Sequence, residues 1–223
     1  MALVIPTIFA QSRIEFHNRL VKLASLAKKL HIDIMDGQFV ETKSPPVAAL
    51  PDLTKLSNTF EAHLMVRHPK KYFLPLKKKG VQKIIFHYES LKDAGEIFEI
   101  AQTIQNLKMS PFIAINPLTE LSKVLFFLHK LDGIILMGVH PGKEHQSFDL
   151  SVPQKITFLK SFNKKIIIQI DGGVTLENAK LLVQAGASIL NTGSFVSEAK
   201  DPRKALVELR LAAKGTKNLT IRN

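Results

Sequence analysis

Short apolar runs alternate along the chain with longer stretches of helical period. The runs cover residues 3–9, 30–35, 59–65, 83–87, 112–115, 133–137, 166–170 and 188–192. Uninterrupted apolar stretches such as Ile166-Ile167-Ile168 suit strands buried on both faces, as in parallel sheets covered by helices. Between the runs, residues 14–29 set Leu20, Leu23 and Leu26 or Ala27 along one side, and residues 91–108 carry Ile97, Ile100, Ile104 and Leu107 at helical spacing. Asp201-Pro202 supplies a cap and a first-turn proline for a final helix. Eight runs separated by helices is the count of a closed (β/α)8 barrel, the TIM barrel. An open doubly wound sheet is the alternative, but no G-x-G-x-x-G turn follows the first strand. No linker, repeat or low-complexity tract divides the chain. The expectation is one domain over residues 1–213 and a basic polar tail, 214–223.

Composition narrows the class without naming it. The 223 residues are 45% hydrophobic and 22% charged, as in ordinary globular proteins. Cysteine is absent, which excludes disulfides and thiolate metal sites and fits a reducing compartment. No apolar run approaches the roughly 20 residues of a bilayer span. The start Leu3-Val4-Ile5 is broken by Pro6 and has no basic leader, so it reads as a strand rather than a signal peptide, and the expected location is the cytoplasm. The net charge of +12 suggests nucleic-acid binding or steering of an anionic substrate. The lysines are scattered, however, with Lys70, Lys71, Lys77, Lys78 and Lys79 on one helix and its end. No aromatic-interleaved basic stretch accompanies them, so a solvated basic surface is the plainer reading and nucleic acid is disfavoured.

In such a barrel the carboxyl ends of the strands face the active site. The second run reads Leu30-His31-Ile32-Asp33-Ile34-Met35, followed by Asp36-Gly37. Side chains alternate along a strand, so His31, Asp33 and Met35 share the inner face while Ile32 and Ile34 face the helices. The third run ends Glu61-Ala62-His63-Leu64-Met65, with His63 and Met65 on one face. The seventh ends Gln169-Ile170-Asp171 ahead of Gly172-Gly173, the fourth Phe86-His87 and the sixth Leu136-Met137. Two imidazoles and two carboxylates from three strands can therefore converge. Buried carboxylates and imidazoles are costly unless paired or bound to a metal, and a His2Asp2 set without sulfur suits Zn2+, Mn2+, Fe2+ or Co2+. Singly, each has a plainer role: an inward histidine hydrogen-bonded in the core, an aspartate shaping a Gly-Gly turn, a methionine filling a gap. The coincidence of four at strand ends argues for an ion.

These stretches resemble the ribulose-phosphate 3-epimerase family. The residues that carry the resemblance are His-Ile-Asp-Ile-Met-Asp-Gly at 31–37, His-Leu-Met-Val at 63–66, Ile-Asp-Gly-Gly-Val at 170–174 and Thr-Gly-Ser at 192–194, with Pro141-Gly142 and Gln146-Ser147-Phe148. The likeness runs from the first strand to about Pro202. It implies a barrel of the ribulose-phosphate-binding type, with His31, Asp33, His63 and Asp171 holding one divalent metal. Asp33 and Asp171 match the acid/base pair, and Met35, Met65 and Met137 a methionine cluster over the reacting carbons. Gly172, Gly173, Gly193 and Ser194 match phosphate contacts, while Thr7, His87, Gly142, Lys143 and Gln146 are expected around the sugar. The implied reaction inverts C3 of a ketose phosphate, D-ribulose 5-phosphate to D-xylulose 5-phosphate, through an enediolate. Thr175 is placed to cap the helix after the Gly-Gly turn, bringing its positive end near the phosphate. Family members often associate, so a homo-oligomer is compatible with the resemblance, though no surface signal decides it.

Three departures stand out. Thr7 replaces the usual serine after the first-strand proline. Gln38-Phe39-Val40-Glu41-Thr42 stands where His-Phe-Val-Pro-Asn is common. The sixth loop, usually Gly-Phe-Gly-Gly-Gln, is Gly142-Lys143-Glu144-His145-Gln146. The last change keeps a ketohexose 6-phosphate in view as the alternative substrate, with Lys143 or His145 offering charge to the phosphate. A decarboxylase or synthase on a related barrel is disfavoured because Asp-x-Lys-x-x-Asp is absent, Asp33-Ile34-Met35-Asp36 standing in its place. A non-catalytic basic binding protein is suggested by charge alone.

Overall fold

The computed structural model describes residues 1–214. The expected tail, 214–223, lies outside the described residues except for Lys214. Eight parallel strands close in sequence order: β1 (Leu3–Ile8), β2 (Lys29–Met35), β3 (Thr59–Met65), β4 (Val81–His87), β5 (Ser110–Ile115), β6 (Gly133–Met137), β7 (Ile167–Asp171) and β8 (Ile189–Thr192). The helices are α1 (Arg13–Ala24), α2 (Phe73–Lys79), α3 (Glu96–Asn106), α4 (Ser122–Leu125), α5 (Val152–Phe162), α6 (Leu176–Ala185), α7 (Ser194–Ser197) and α8 (Pro202–Ala212). None of the described helices is long and apolar enough to cross a membrane.

The expected barrel is present, with shorter helices than the periodicity suggests. The first helix ends at Ala24 instead of reaching residue 29, because Leu26 and Ala27 turn back onto the Leu23 carbonyl and Lys29 already opens β2. The helix expected over 91–108 begins at Glu96, since Tyr88–Ser90 forms a 3-10 turn and Asp93 takes the Gly95 N–H at 2.8 Å. Asp201 caps α8 by accepting from Lys204 N–H at 2.9 Å, with Pro202 in the first turn. Gly80 and Gly186 close α2 and α6 at φ 97° and 116°, the left-handed geometry that favours glycine.

Strand alternation sorts side chains into two cores. Leu30, Ile32, Ile34, Ile84, Phe86, Ile134, Leu136, Ile168, Ile170 and Leu190 face the helices. The barrel interior is split. From β4 to β6 it is mostly apolar, with Ile85, Phe112, Ala114, Ile135 and Met137 in one cluster, and Lys83 and His87 of β4 reach across to the polar side. On β2, β3, β7 and β8 it is polar, with His31, Asp33, Glu61, His63, Gln169, Asp171 and Asn191 all buried. Register aligns the polar side: Asp33 stands beside His63, His31 beside Glu61, Met35 beside Met65, and Met137 beside Asp171.

Candidate metal centre and active-site mouth

His31, Asp33, His63 and Asp171 come together at the carboxyl end of the barrel. One ligand atom from each lies within 4.8 Å of all the others. His31 Nε2 is 3.3 Å from Asp33 Oδ1 and 3.6 Å from Asp171 Oδ2, and His63 Nδ1 is 3.3 Å and 2.9 Å from the same two oxygens. These atoms face one another, yet His31 Nε2, Asp33 Oδ1 and His63 Nδ1 make no hydrogen bond despite being buried. Leaving three such atoms unpaired in one place is expensive. A divalent cation, which would take all of them as ligands, fits the set without requiring any sulfur donor.

The two imidazoles are oriented from behind. His31 Nδ1 lies 2.6 Å from Glu61 Oε1, so its N–H donates to that carboxylate and leaves Nε2 for the centre. Glu61 also accepts from Lys83 Nζ at 2.7 Å and from the Gln169 amide, and Gln169 in turn bonds Asn191 at 2.8 Å. Burial works against the charge on Glu61, but the His31 and Lys83 contacts outweigh it and bring its pKa down to about 2. Lys83 is itself pushed down, because burial outweighs its pairing with Glu61. On the other side, His63 Nε2 is 2.8 Å from His87 Nε2, and His87 Nδ1 is 3.2 Å from Glu89. Donation from His63 to His87 to Glu89 satisfies all three and leaves His63 Nδ1 free.

Burial and neighbouring charges compete within this corner. Burial disfavours ionised Asp171, but His31 and His63 outweigh it and hold the carboxyl well below its ordinary range. Burial likewise disfavours the imidazolium forms, and the neighbouring carboxylates push His31 and His63 upward in spite of it. For His87, burial outweighs the hydrogen bond to Glu89 and pulls its pKa down.

The corner opens into a cavity of about 410 Å³. Thr7, Asp33, Met65, Met137, Gly142, Lys143, Gln146, Asp171, Gly172, Gly173, Gly193 and Ser194 all line it. Two residues expected around the substrate are not among those lining the cavity. His87 is wholly buried behind His63, stacked on its ring at a centroid distance of 4.9 Å. Met35 is buried beside Met65 and Phe9 under Phe39 and Val40. Two loop residues reach the cavity with their polar ends engaged elsewhere. Lys143 Nζ pairs with Glu41 at 2.9 Å, and Gln146 Nε2 donates to the His140 and Lys143 carbonyls at 2.6 and 2.8 Å. His145 also borders the cavity, with its Nε2 3.5 Å from Glu198.

Glu61, Lys83, Gln169, Asn191 and Glu89 are not among the expected site residues. The sequence carries a signal for two of them: Glu61 and Gln169 each stand two residues before a ligand, on the same inward face. Asn178 is another. It accepts from Thr175 N–H at 3.0 Å, completing the cap of α6, and donates to the Gly173 carbonyl at 2.8 Å.

A closed parallel barrel with two imidazoles and two carboxylates converging at its mouth has the architecture of a barrel enzyme with a candidate metal centre. Comparison with known proteins makes the assignment specific: the family model for the ribulose-phosphate 3 epimerase family matches residues 3–197. The chain belongs to that family, and its activity is of the isomerase class, a carbohydrate epimerase. It is 34% identical to ribulose-phosphate 3-epimerase of Schizosaccharomyces pombe over 185 residues, covering 81% of this chain and 80% of the relative. It is 29% identical to the cytoplasmic isoform from rice (Oryza sativa subsp. japonica) over 205 residues, covering 90% and 88%. The crystal structure of 3-hexulose-6-phosphate synthase from Salmonella typhimurium superimposes with a TM-score of 0.70 over 96% of this chain and 99% of that one. Its identity is 14%, a likeness of fold alone.

Proposed function

We propose that this chain inverts C3 of a ketose phosphate, interconverting D-ribulose 5-phosphate and D-xylulose 5-phosphate, with one divalent ion held by His31 Nε2, His63 Nδ1, Asp33 and Asp171. The observation that carries the reading is the convergence of two carboxylates and two oriented imidazoles, with unpaired atoms facing inward, at the end of the barrel where chemistry is done. When bound, the ion, of which Zn2+, Mn2+, Fe2+ and Co2+ all suit the donors, supplies Lewis acidity toward the negative charge of an enediolate.

The protein's own groups carry the proton. Asp33 projects from β2 and Asp171 from β7, so a substrate between them meets a carboxylate on two sides. One, ionised, takes the C3 proton as that carbon becomes planar. The other, carrying a proton, returns one to the opposite face. The product differs only in configuration, and the pair ends with its single proton exchanged between partners. Met65 and Met137 line the cavity nearby and exclude water without offering a competing proton. The turns after β7 and β8, with Gly172, Gly173, Gly193 and Ser194, are the proposed phosphate subsite, a frequent location in barrels. Thr7 Oγ1 is buried, lacks a protein partner and lines the cavity, which suits a contact to a sugar hydroxyl.

The sixth loop favours a second reading of substrate length. Its charged residues change the wall beside the phosphate turns, so a ketohexose 6-phosphate remains the alternative. Incubating the metal-loaded protein with each ketose phosphate in D2O decides: deuterium at C3 with the pentose is expected. Exchange with only the hexose shifts the substrate, and exchange with neither overturns the reading. The rice relative is a cytoplasmic isoform, and we place this chain in the same compartment by analogy.

A further inference from the structure

The sixth loop does more than fill space, because one of its side chains lies where an anion is expected. Glu144 lines the cavity together with Gly172, Gly173, Gly193 and Ser194. Its Oε1 would be only 3.0 Å from a Cβ placed on Gly193, so the carboxylate rests directly on the turn after β8. Its side chain is 17% exposed, and a guanidinium holds it: Arg19 of α1 reaches Glu144 at 3.1 and 3.4 Å. Arg19 also meets Glu15 at 3.2 Å, Glu198 at 3.5 Å and Ser197 Oγ at 3.4 Å. A carboxylate and a phosphate are both oxyanions that accept from N–H donors and pair with arginine. They cannot share one pocket, since like charges a few ångströms apart in a half-buried site repel strongly.

We propose that Arg19 is a binding residue for the substrate's phosphate, and that Glu144 holds its place on the Gly193 turn until the phosphate displaces it. This rests on the sugar-phosphate reading above. On entry, the phosphate takes the carboxylate's position and inherits the guanidinium, while Glu144 swings toward solvent with its loop. Specificity follows: a ligand lacking an anionic group cannot outcompete Glu144 for Arg19, so an unphosphorylated ketose is excluded by a resident charge as well as by missing contacts. Burial pushes the Glu144 carboxyl upward even with Arg19 beside it, as expected for an anion seated where it is poorly solvated.

The test titrates inorganic phosphate into the metal-loaded protein by calorimetry, comparing wild type, Glu144→Gln and the double variant Glu144→Gln with Arg19→Gln. Removing the competing charge is expected to tighten phosphate binding on the order of tenfold, and the double variant is expected to lose that gain. Glu144→Gln binding phosphate no tighter than wild type overturns the proposal, as does a double variant that keeps the full gain. The readout needs no turnover. A protein that shows these phosphate affinities but exchanges no C3 proton refutes the epimerase reading and supports the anion site. One that exchanges the proton while all three affinities coincide refutes this proposal alone.

Discussion

The metal corner and the sixth loop border the same cavity and are built by opposite means. The corner is carried on strands. His31, Asp33, His63 and Asp171 occupy inward positions of β2, β3 and β7, their backbones are locked in the barrel ladder, and each imidazole is aimed by a buried partner behind it. The loop is carried on side-chain clasps. Thr42 holds the Gly142 carbonyl, Lys143 pairs with Glu41, Glu144 with Arg19 and His145 with Glu198, and His145 itself sits at φ 58°. Rigid elements position groups that must be accurate, and clasps that open individually suit a wall that substrate must pass. Perturbing the corner should therefore cost chemistry, and perturbing the loop should cost access.

The sharpest break is at the carboxylates. Asp33→Asn and Asp171→Asn each keep the shape of the side chain and remove its ability to take a proton. C3 deuterium exchange should fall by about 10³-fold or more in either variant. A variant with near wild-type exchange would move the acid/base chemistry out of the corner.

Next in size is the support behind the ligands. Glu61 touches no cavity-lining group of the corner directly, but it fixes which His31 nitrogen bears the proton. Glu61→Gln should weaken metal binding by about 10- to 100-fold, the usual effect of losing such a partner. Competition with a chelator measures it. Unchanged affinity would show that strand geometry alone suffices and that the barrel's polar half is only packing.

This contrast also explains what is legible in the sequence. A two-residue period assigns every position on a strand to a face, so the four candidate ligands, and the methionines beside them, follow from short local stretches. Their number and strand-end positions then make an ion the economical reading. Glu61 and Gln169 lie on the same face without standing out, because a polar residue below a site is ordinary in isolation. The loop is opaque for a different reason. Arg19 and Glu144 are 125 residues apart, and nothing near either one signals the other. Lys143 and His145 stand out as charges near a phosphate, yet both point to carboxylates elsewhere, while the loop's acidic residue is the one that turns inward. The helix ends shift where turns such as that at Gly95 interrupt a periodic stretch.

A smaller effect comes from Asp36, which anchors the strand-borne side to its following loop. Its carboxylate accepts from the backbone N–H groups of Gln38, Phe39 and Arg67 at 2.8, 2.9 and 2.8 Å. Burial opposes its charge, and these three donors outweigh burial and lower its pKa from 3.8. The stabilisation is therefore complete above that value and is lost as pH falls below it. Because the group is largely solvated, screening reduces the contribution to about 1 kcal/mol. Melting curves of Asp36→Asn should show a lower Tm at pH 7, converging on the wild type in acid. Parallel curves at all pH values would mean that the charge of Asp36 is irrelevant.

The smallest effect expected is the most selective. Thr42 Oγ1 donates to the Gly142 carbonyl at 2.6 Å and touches none of the four ligands, so it joins the loop after β2 to the sixth loop without entering the corner. Thr42→Val keeps the branched shape and deletes the donor. A single hydrogen bond in a part-exposed place is worth about 0.5–1.5 kcal/mol, which corresponds to roughly 2- to 12-fold in an opening equilibrium. Amide hydrogen exchange across residues 140–148 should accelerate within that range, while metal affinity measured on the same sample stays at the wild-type value. If metal affinity falls with it, the two regions are one cooperative unit and the division between a strand-built corner and a clasped loop fails. If exchange is unmoved, the other clasps suffice, and the Arg19–Glu144 pair becomes the contact that governs opening.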